Sequence, residues 1–262
     1  MELSLEEVKK TQLEILKVFA SFCESNGITY YLAYGTLIGA IRHKGYIPWD
    51  DDIDVIMPRP DYNRFIREFK DNRYVLFCPE SNVDCPFSYG KLYDSHTIIE
   101  EQTSCHYRIG LNIDIFILDG MPNNLQAAKK HIRNCKYWIR LLEIKRIAFD
   151  KNRAYSKNLL LLFFKVLASP FPIWWARNNL IKLNQKFDFS TSHYCSDLCY
   201  TDALFLSKDV FGKGLKALFE DREYVIPSNS NYWLSAVYGD YMQLPPLEKR
   251  VTHHAYKAFT LE

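Results

Sequence analysis

Apolar residues recur at Leu5, Val8, Ile15, Leu16, Phe19, Phe22 and Cys23, the spacing of one helical face. Ser4 and Glu7 form a capping box ahead of them and Gly27 is a natural stop, so a helix is predicted between Ser4 and Gly27. The period then shortens. Ile28–Tyr34 is aromatic and β-branched and reads as a strand that delivers Gly35-Thr36 to a second helix start. A loop from Gly45 to Trp49 leads into a stretch where aspartate alternates with apolar residues, the period of a strand. Asp50, Asp52 and Asp54 share one side of it, with Asp50 at the border of the loop. Pro58 and Pro60 end this strand, and Asp61 is expected to cap a helix bearing Phe65, Ile66 and Phe69. Short strands are expected at Tyr74–Phe77, Ser88–Asp94 and Leu111–Leu118. Residues 125–186 read as helical. A hairpin over Phe211–Pro227 is expected to turn at Gly212-Lys213-Gly214, followed by a helix capped by Ser228 that ends at Gly239. There is no internal repeat.

An acidic run is often a solvated turn. Here it is preceded by Gly-Thr and Arg-His-Lys and followed by an apolar strand, and carboxylates held close together in such a setting repel one another unless a cation neutralises them. Asp52 and Asp54 are therefore candidate ligands of a hard metal, Mg²⁺ or Mn²⁺, because the donors are all oxygen. Asp114 is the one charge in the apolar strand LNIDIFIL. It fits either an edge-strand salt bridge or a third metal carboxylate facing Asp52 and Asp54. Asp119, beside Gly120, reads as a turn residue. The helix start at Gly35 and Thr36 offers backbone N–H groups and a hydroxyl to an anion. Arg42 suits a bidentate phosphate grip or the helix dipole, and Lys91 is either a phosphate ligand or a surface lysine.

Charge sharpens this picture. The net charge is only +2, which argues against a nucleic-acid partner, yet residues 129–186 hold 14 Lys and Arg against two acids, Glu143 and Asp150. A basic module thus stands beside an acidic body. Within it, Leu159–Ala176 is strongly apolar, but Lys165, Pro170 and Pro172 interrupt it short of the roughly 20 residues of a membrane span. The two readings are a buried helix followed by a Pro-rich turn, and a segment lying on an anionic membrane surface. The chain has 18 Tyr, 17 Phe and 5 Trp, which serve either a core or a pocket for a base or quaternary ammonium group. Seven scattered cysteines without a CxxC pair, and a polar, helical start, lead us to expect a reduced cytoplasmic setting. The spacing of His193, Cys195 and Cys199 matches no common zinc pattern.

The stretch GTLIGAIRHKGYIPWDDDIDV closely resembles the signature of the LicD family, and YGDYMQLPPLEKRVTHH resembles its closing motif. The resemblance implies an α+β, polymerase-beta-like nucleotidyltransferase fold: a mixed sheet flanked by helices, here with a basic helical insertion. It divides the chain into a catalytic core (1–124), the insertion (125–190) and a C-terminal part completing the catalytic domain (191–262). Bacterial members transfer phosphocholine from CDP-choline to cell-surface glycans, and the fukutin-type relatives transfer ribitol phosphate. The function implied is metal-dependent transfer of phosphocholine to a sugar hydroxyl of a teichoic acid or other glycan precursor, with release of CMP. Transfer of ribitol or glycerol phosphate, nucleotidyl transfer, and a non-catalytic membrane-associated adaptor are the alternatives. Asp52, Asp54 and Asp114 would be both catalytic and metal-binding. Gly35, Thr36, Arg42, Lys91 and Trp49 would hold substrate. The acceptor implied is an undecaprenyl-linked glycan, reached at the inner face of the plasma membrane through residues 129–186.

Overall fold

The computed structural model describes residues 1–252 and 256–261. His253 and His254, at the end of the closing motif, lie outside the described residues. Helix α1 (Leu5–Asn26) has the expected ends. Ser4 Oγ accepts the Glu7 N–H, the Glu7 carboxylate accepts the Ser4 N–H at 2.8 Å, and Gly27 closes the helix at φ 61°.

The strands are β1 (Tyr31–Leu32), β2 (Asp54–Pro58), β3 (Tyr74–Phe77), β4 (Gly90–Asp94), β5 (Thr97–Glu101), β6 (Asn112–Met121), β7 (Tyr194–Asp197), β8 (Leu206–Ser207), β9 (Leu215–Phe219), β10 (Arg222–Ile226) and β11 (Tyr256–Thr260). A seven-stranded sheet runs β1-β2-β6-β4-β3, with β7 joining β6 and β8 joining β7. Only β2 and β6 are parallel, so the sheet is mixed. The other two pairs are β9–β10 and β5–β11. Phe19, Phe65 and Phe116 are fully buried in the main core, and burial of each such ring contributes about 1.5–3 kcal/mol.

Several boundaries differ from the sequence reading, each for a local reason. The acidic strand starts at Asp54, not Asp50. A turn closes from Asp50 N–H to the Ile47 carbonyl at 2.9 Å, and the Asp51 carbonyl accepts from Gln12 Nε2 and the Tyr256 hydroxyl instead of a strand neighbour. The second helix, α2 (Tyr34–Ile38), opens one residue before Gly35 and runs into a π-helical turn, Gly39–His43. Helix α3 (Arg59–Glu68) is capped by Pro58. Asp61 sits inside its first turn and accepts the Thr29 N–H at 3.1 Å. Strand β6 runs on to Met121, so Asp119 is a buried strand residue in a bidentate ion pair with Arg59, at 2.7 and 2.8 Å, rather than a turn. The β9–β10 hairpin turns at Glu220, φ 57°, and the two glycines precede it. The last helix, α7 (Ser230–Tyr238), takes Asn229, not Ser228, as its cap.

Residues 125–184 form α4 (Leu125–Arg146), α5 (Tyr155–Ala168) and α6 (Ile173–Asn184). A second core of Ala128, Cys135, Ile139, Leu142, Ala176 and Leu180 joins α4 to α6. Arg177 fastens α6 to the loop after β3 through the carbonyls of Asn82, Val83 and Cys85. Helix α5 is not the buried helix of one sequence reading. Only Leu161 and Ala168 are buried in it. Among the described residues no single helix is long and apolar enough to cross a membrane, and α5 and α6 bend by 80° at the break between them.

Candidate active site

The pairing of β2 with β6 sets Asp54 directly beside Asp114, and the pairing of β4 with β6 sets Lys91 directly beside Asp114. Residues opposite one another on neighbouring strands share a face and stand about 5 Å apart. The sheet therefore lays Asp54, Asp114 and Lys91 in one row. Lys91 Nζ is ion-paired with Asp114 Oδ1, donates to Asn112 Oδ1 at 3.2 Å, and lies 4.8 Å from the Phe87 ring centre.

Asp54 is buried, and its carboxyl is pushed well above the usual carboxylate range. Burial is the largest cause. The charges of Asp52, Asp114 and Asp50 add to it and Lys91 opposes it. Asp50, Asp51 and Asp52, in the loop just ahead, each bring a carboxylate oxygen within 4.8 Å of the others. Asp52 thus stands with its loop neighbours, while Asp54 and Asp114 are joined through the sheet. Five carboxylates, those of Asp50, Asp51, Asp52, Asp54 and Asp114, gather at this edge of the sheet, with Lys91 beside Asp114 and the charge of Lys9 felt at Asp50 and Asp51. This all-oxygen donor set fits a hard divalent cation.

The glycine-threonine pair does something the sequence reading did not anticipate. Thr36 is buried, and its Oγ accepts the Asp54 N–H at 2.9 Å. A Cβ at Gly35 would stand 2.6 Å from Asp50 Oδ2. Both residues therefore fix the carboxylate cluster, and the start of α2 faces Asp50. Arg42 lies at the end of the π-helical turn. Its Nη1 donates to the Tyr241 carbonyl and its Nε to His43 Nε2 at 2.9 Å. The Arg250 guanidinium lies 5.4 Å from the centre of the Trp49 ring, whose other neighbour is His43. Arg42, Trp49 and Arg250 thus bring the first motif and the closing motif together.

On another side of Asp54 opens a cavity of about 300 Å³. Tyr34, Tyr200, Trp233 and Tyr238 line it, with Asp197 and Asp202. Tyr34 has a left-handed backbone, φ 45°, unusual for an aromatic residue and costing about 1–3 kcal/mol. Its hydroxyl donates to Asp197 Oδ2 at 2.5 Å, and the Cys199 N–H donates to Asp197 Oδ1 at 2.8 Å. Sequence reasoning missed all of these residues. One signal was available: Asp197 is the one acid in the run Tyr194–Leu198, as Asp114 is in LNIDIFIL.

The family described as "LicD/FKTN/FKRP, nucleotidyltransferase domain" matches residues 27–78, the span from the end of α1 through β3. The lipopolysaccharide cholinephosphotransferase LicD of Haemophilus influenzae is 32% identical over an alignment of 279 positions covering 99% of both chains. The chain belongs to the LicD family. Two uncharacterised proteins, from Rickettsia typhi and Rickettsia prowazekii, match more locally, at 33% over 92 residues and 39% over 62. In this LicD family chain Asp54 falls inside the family span, whereas Lys91, Asp114 and Asp197 fall outside it and reach the site through the sheet.

Proposed function

We propose that this LicD family protein is a nucleotidyltransferase-fold enzyme that transfers phosphocholine from CDP-choline to a sugar hydroxyl of a lipid-linked cell-surface glycan. The observation that supports the chemistry is the in-register pair Asp54–Asp114, with the charges of Asp52 and Asp50 close enough to raise the Asp54 carboxyl. The choice of phosphocholine is supported by the full-length similarity to a protein named as a cholinephosphotransferase of lipopolysaccharide.

Asp52, Asp54 and Asp114 would hold Mg²⁺ or Mn²⁺, with Asp50 and Asp51 close by. Such an ion, when bound, neutralises charge on the pyrophosphate and its leaving oxygen. The protein's own groups do the rest. Arg42 and Arg250, beside Trp49, would grip phosphate oxygens, and Lys91 would hold Asp114 in line. The acceptor oxygen bonds to the phosphorus bearing choline, and the bond from that phosphorus to the bridging oxygen breaks. CMP leaves with the electron pair, and a carboxylate of the cluster, Asp54 or Asp114, takes the hydroxyl proton.

A product assay tests this reading. The purified protein, CDP-choline, Mg²⁺ and a glycan acceptor should yield CMP and a phosphocholine-bearing glycan in equal amounts. Acceptor labelled with the nucleotide would instead establish nucleotidyl transfer. No turnover with any CDP-alcohol, together with full cellular function in an Asp54→Asn strain, would establish the adaptor reading.

A further inference from the structure

We infer that the aromatic cavity beside Asp54 is the seat of the quaternary ammonium group, with Tyr34, Tyr200, Trp233 and Tyr238 as its ring walls and Asp197 and Asp202 as its counter-charges. The inference rests on the phosphocholine reading and assigns the residues that would give it specificity. Three carboxylates, those of Asp54, Asp197 and Asp202, line the cavity, and no Lys, Arg or His is among the described residues that do. A cavity so charged repels phosphate and attracts a cation. A trimethylammonium group has no N–H to donate, so it gains from ring faces and unpaired negative charge rather than from hydrogen bonds. The rings are already arrayed about Tyr34: Trp233 and Tyr200 have centroids 5.4 and 6.0 Å from it. Tyr200 and Tyr238 are each partly exposed, 41% and 46%, and so present free ring surface. Burial pushes the Asp197 carboxyl up to about 6, a penalty that a cation seated nearby would relieve. Asp54 lines the same cavity. A cation held there is one short alcohol away from a phosphorus held at the carboxylates.

The test compares CMP release from CDP-choline, CDP-ethanolamine and CDP-glycerol by the full-length protein and by variants at Tyr200 and Tyr238. Loss of one desolvated cation–π contact is expected to lower the CDP-choline to CDP-glycerol ratio of kcat/KM about tenfold in Tyr200→Leu and in Tyr238→Leu. Tyr200→Phe and Tyr238→Phe, which keep the ring, should restore most of it. Asp202→Asn, at an exposed position where folding is not at risk, should lower the same ratio. An unchanged ratio in all the variants, with wild type still preferring CDP-choline, overturns the cage alone. No preference for CDP-choline in wild type overturns the phosphocholine reading beneath it. An equal fall for every donor, with weaker inhibition by CMP, makes the cavity a cytosine site and also overturns the inference.

A separate observation concerns α5. Tyr155, Leu159, Leu162, Phe163 and Val166 fall on one stripe at helical spacing, and all are exposed, four of them by more than half. Leu160, Phe164 and Leu167 form a second exposed stripe, of which Phe164 and Leu167 border a groove of about 600 Å³ against α4, whose other wall includes Arg133, Lys136 and Arg140. None of these three basic residues forms an ion pair among the described residues. We propose that α5 lies in the interface of a bilayer containing anionic lipid, its apolar stripe among the acyl chains and the α4 row against the headgroups. The charge of this region decides the occupant: an apolar face beside an uncompensated basic row is complementary to anionic lipid, whereas a second copy would bring an equally basic row against it. Flotation with phosphatidylglycerol vesicles tests this. Wild type should float at low salt, float less at high salt and not float with phosphatidylcholine alone. The exposed triple variant Leu159→Gln, Phe163→Gln, Val166→Gln should stay at the bottom while keeping its thermal unfolding profile. Equal flotation of the variant, no flotation of wild type at low salt, or a dimer in sedimentation that the variant dissociates would each overturn the proposal.

Discussion

Two ionic groupings of opposite design lie at the two ends of the paired strands β2 and β6. At one end Asp119 accepts from Nε and Nη2 of Arg59, and the pair is nearly sealed from solvent. At the other, the charges of Asp52, Asp114 and Asp50 press on the buried Asp54 carboxyl, and Lys91, paired with Asp114, opposes them. Asp114 and Asp119 are five positions apart on one strand, so the pleat turns them to opposite faces of the sheet. A buried charge with a matched partner is architecture. A buried carboxyl among neighbours of its own sign is held at a cost, and that is the end to which the proposed chemistry is assigned.

The largest effect expected from breaking this comparison is on rate. Asp54→Asn and Asp114→Asn should each lower transfer by roughly a thousandfold, the scale of a lost electrostatic group at a reacting centre, with unchanged circular dichroism. A variant that keeps most of its rate would remove the cluster from the chemistry. Arg59→Ala should act the other way round. It strands the Asp119 charge, so urea unfolding should report a loss of about 3–5 kcal/mol, while the rate per folded molecule stays near wild type. Thr36→Val should be milder. It leaves the Asp54 N–H without its acceptor, a loss of about 1–3 kcal/mol, and we expect transfer to fall about tenfold, with Thr36→Ser close to wild type. Removing divalent cations should abolish transfer and lower the melting temperature by a few degrees, and adding Mg²⁺ back should restore both. Asp54→Asn should blunt that thermal response.

The smallest effect concerns pH. Burial lifts the Asp197 carboxyl from 3.8 to about 6. Its folded-state value lies above its unfolded one, so its contribution to stability is complete below about pH 4 and is lost as pH rises through about 6. The difference in unfolding free energy between wild type and Asp197→Asn should therefore change across that window by on the order of 3 kcal/mol and be flat above it.

Local chemistry wrote some of this plainly into the chain. The capping box of α1 and the run from Gly35 to Ile56 concern neighbours within a few residues of each other. What stayed illegible depends on distance. Asp119 looks like a turn residue until Arg59, sixty positions away, completes it. β5 pairs with β11 across more than 150 residues, and neither strand stands out alone. The apolar run of α5 reads as core because composition records hydrophobicity and not what covers it. The ring walls of the cavity come from three separated segments, around Tyr34, Tyr200 and Trp233, and no spacing rule unites them. Gly35 and Thr36 were visible, but only the fold reveals that they steady aspartates.

Strand β6 touches β2, β4 and β7, and through them it sets Asp54, Lys91 and Asp197 relative to its own Asp114. It is the common ruler of the site. Gain or loss of a single residue within 112–118 would turn Asp114 to the other face and leave Asp54 opposite an apolar side chain. Length changes in this lineage should therefore collect in the surface loops and between the basic helices, and spare that strand almost entirely.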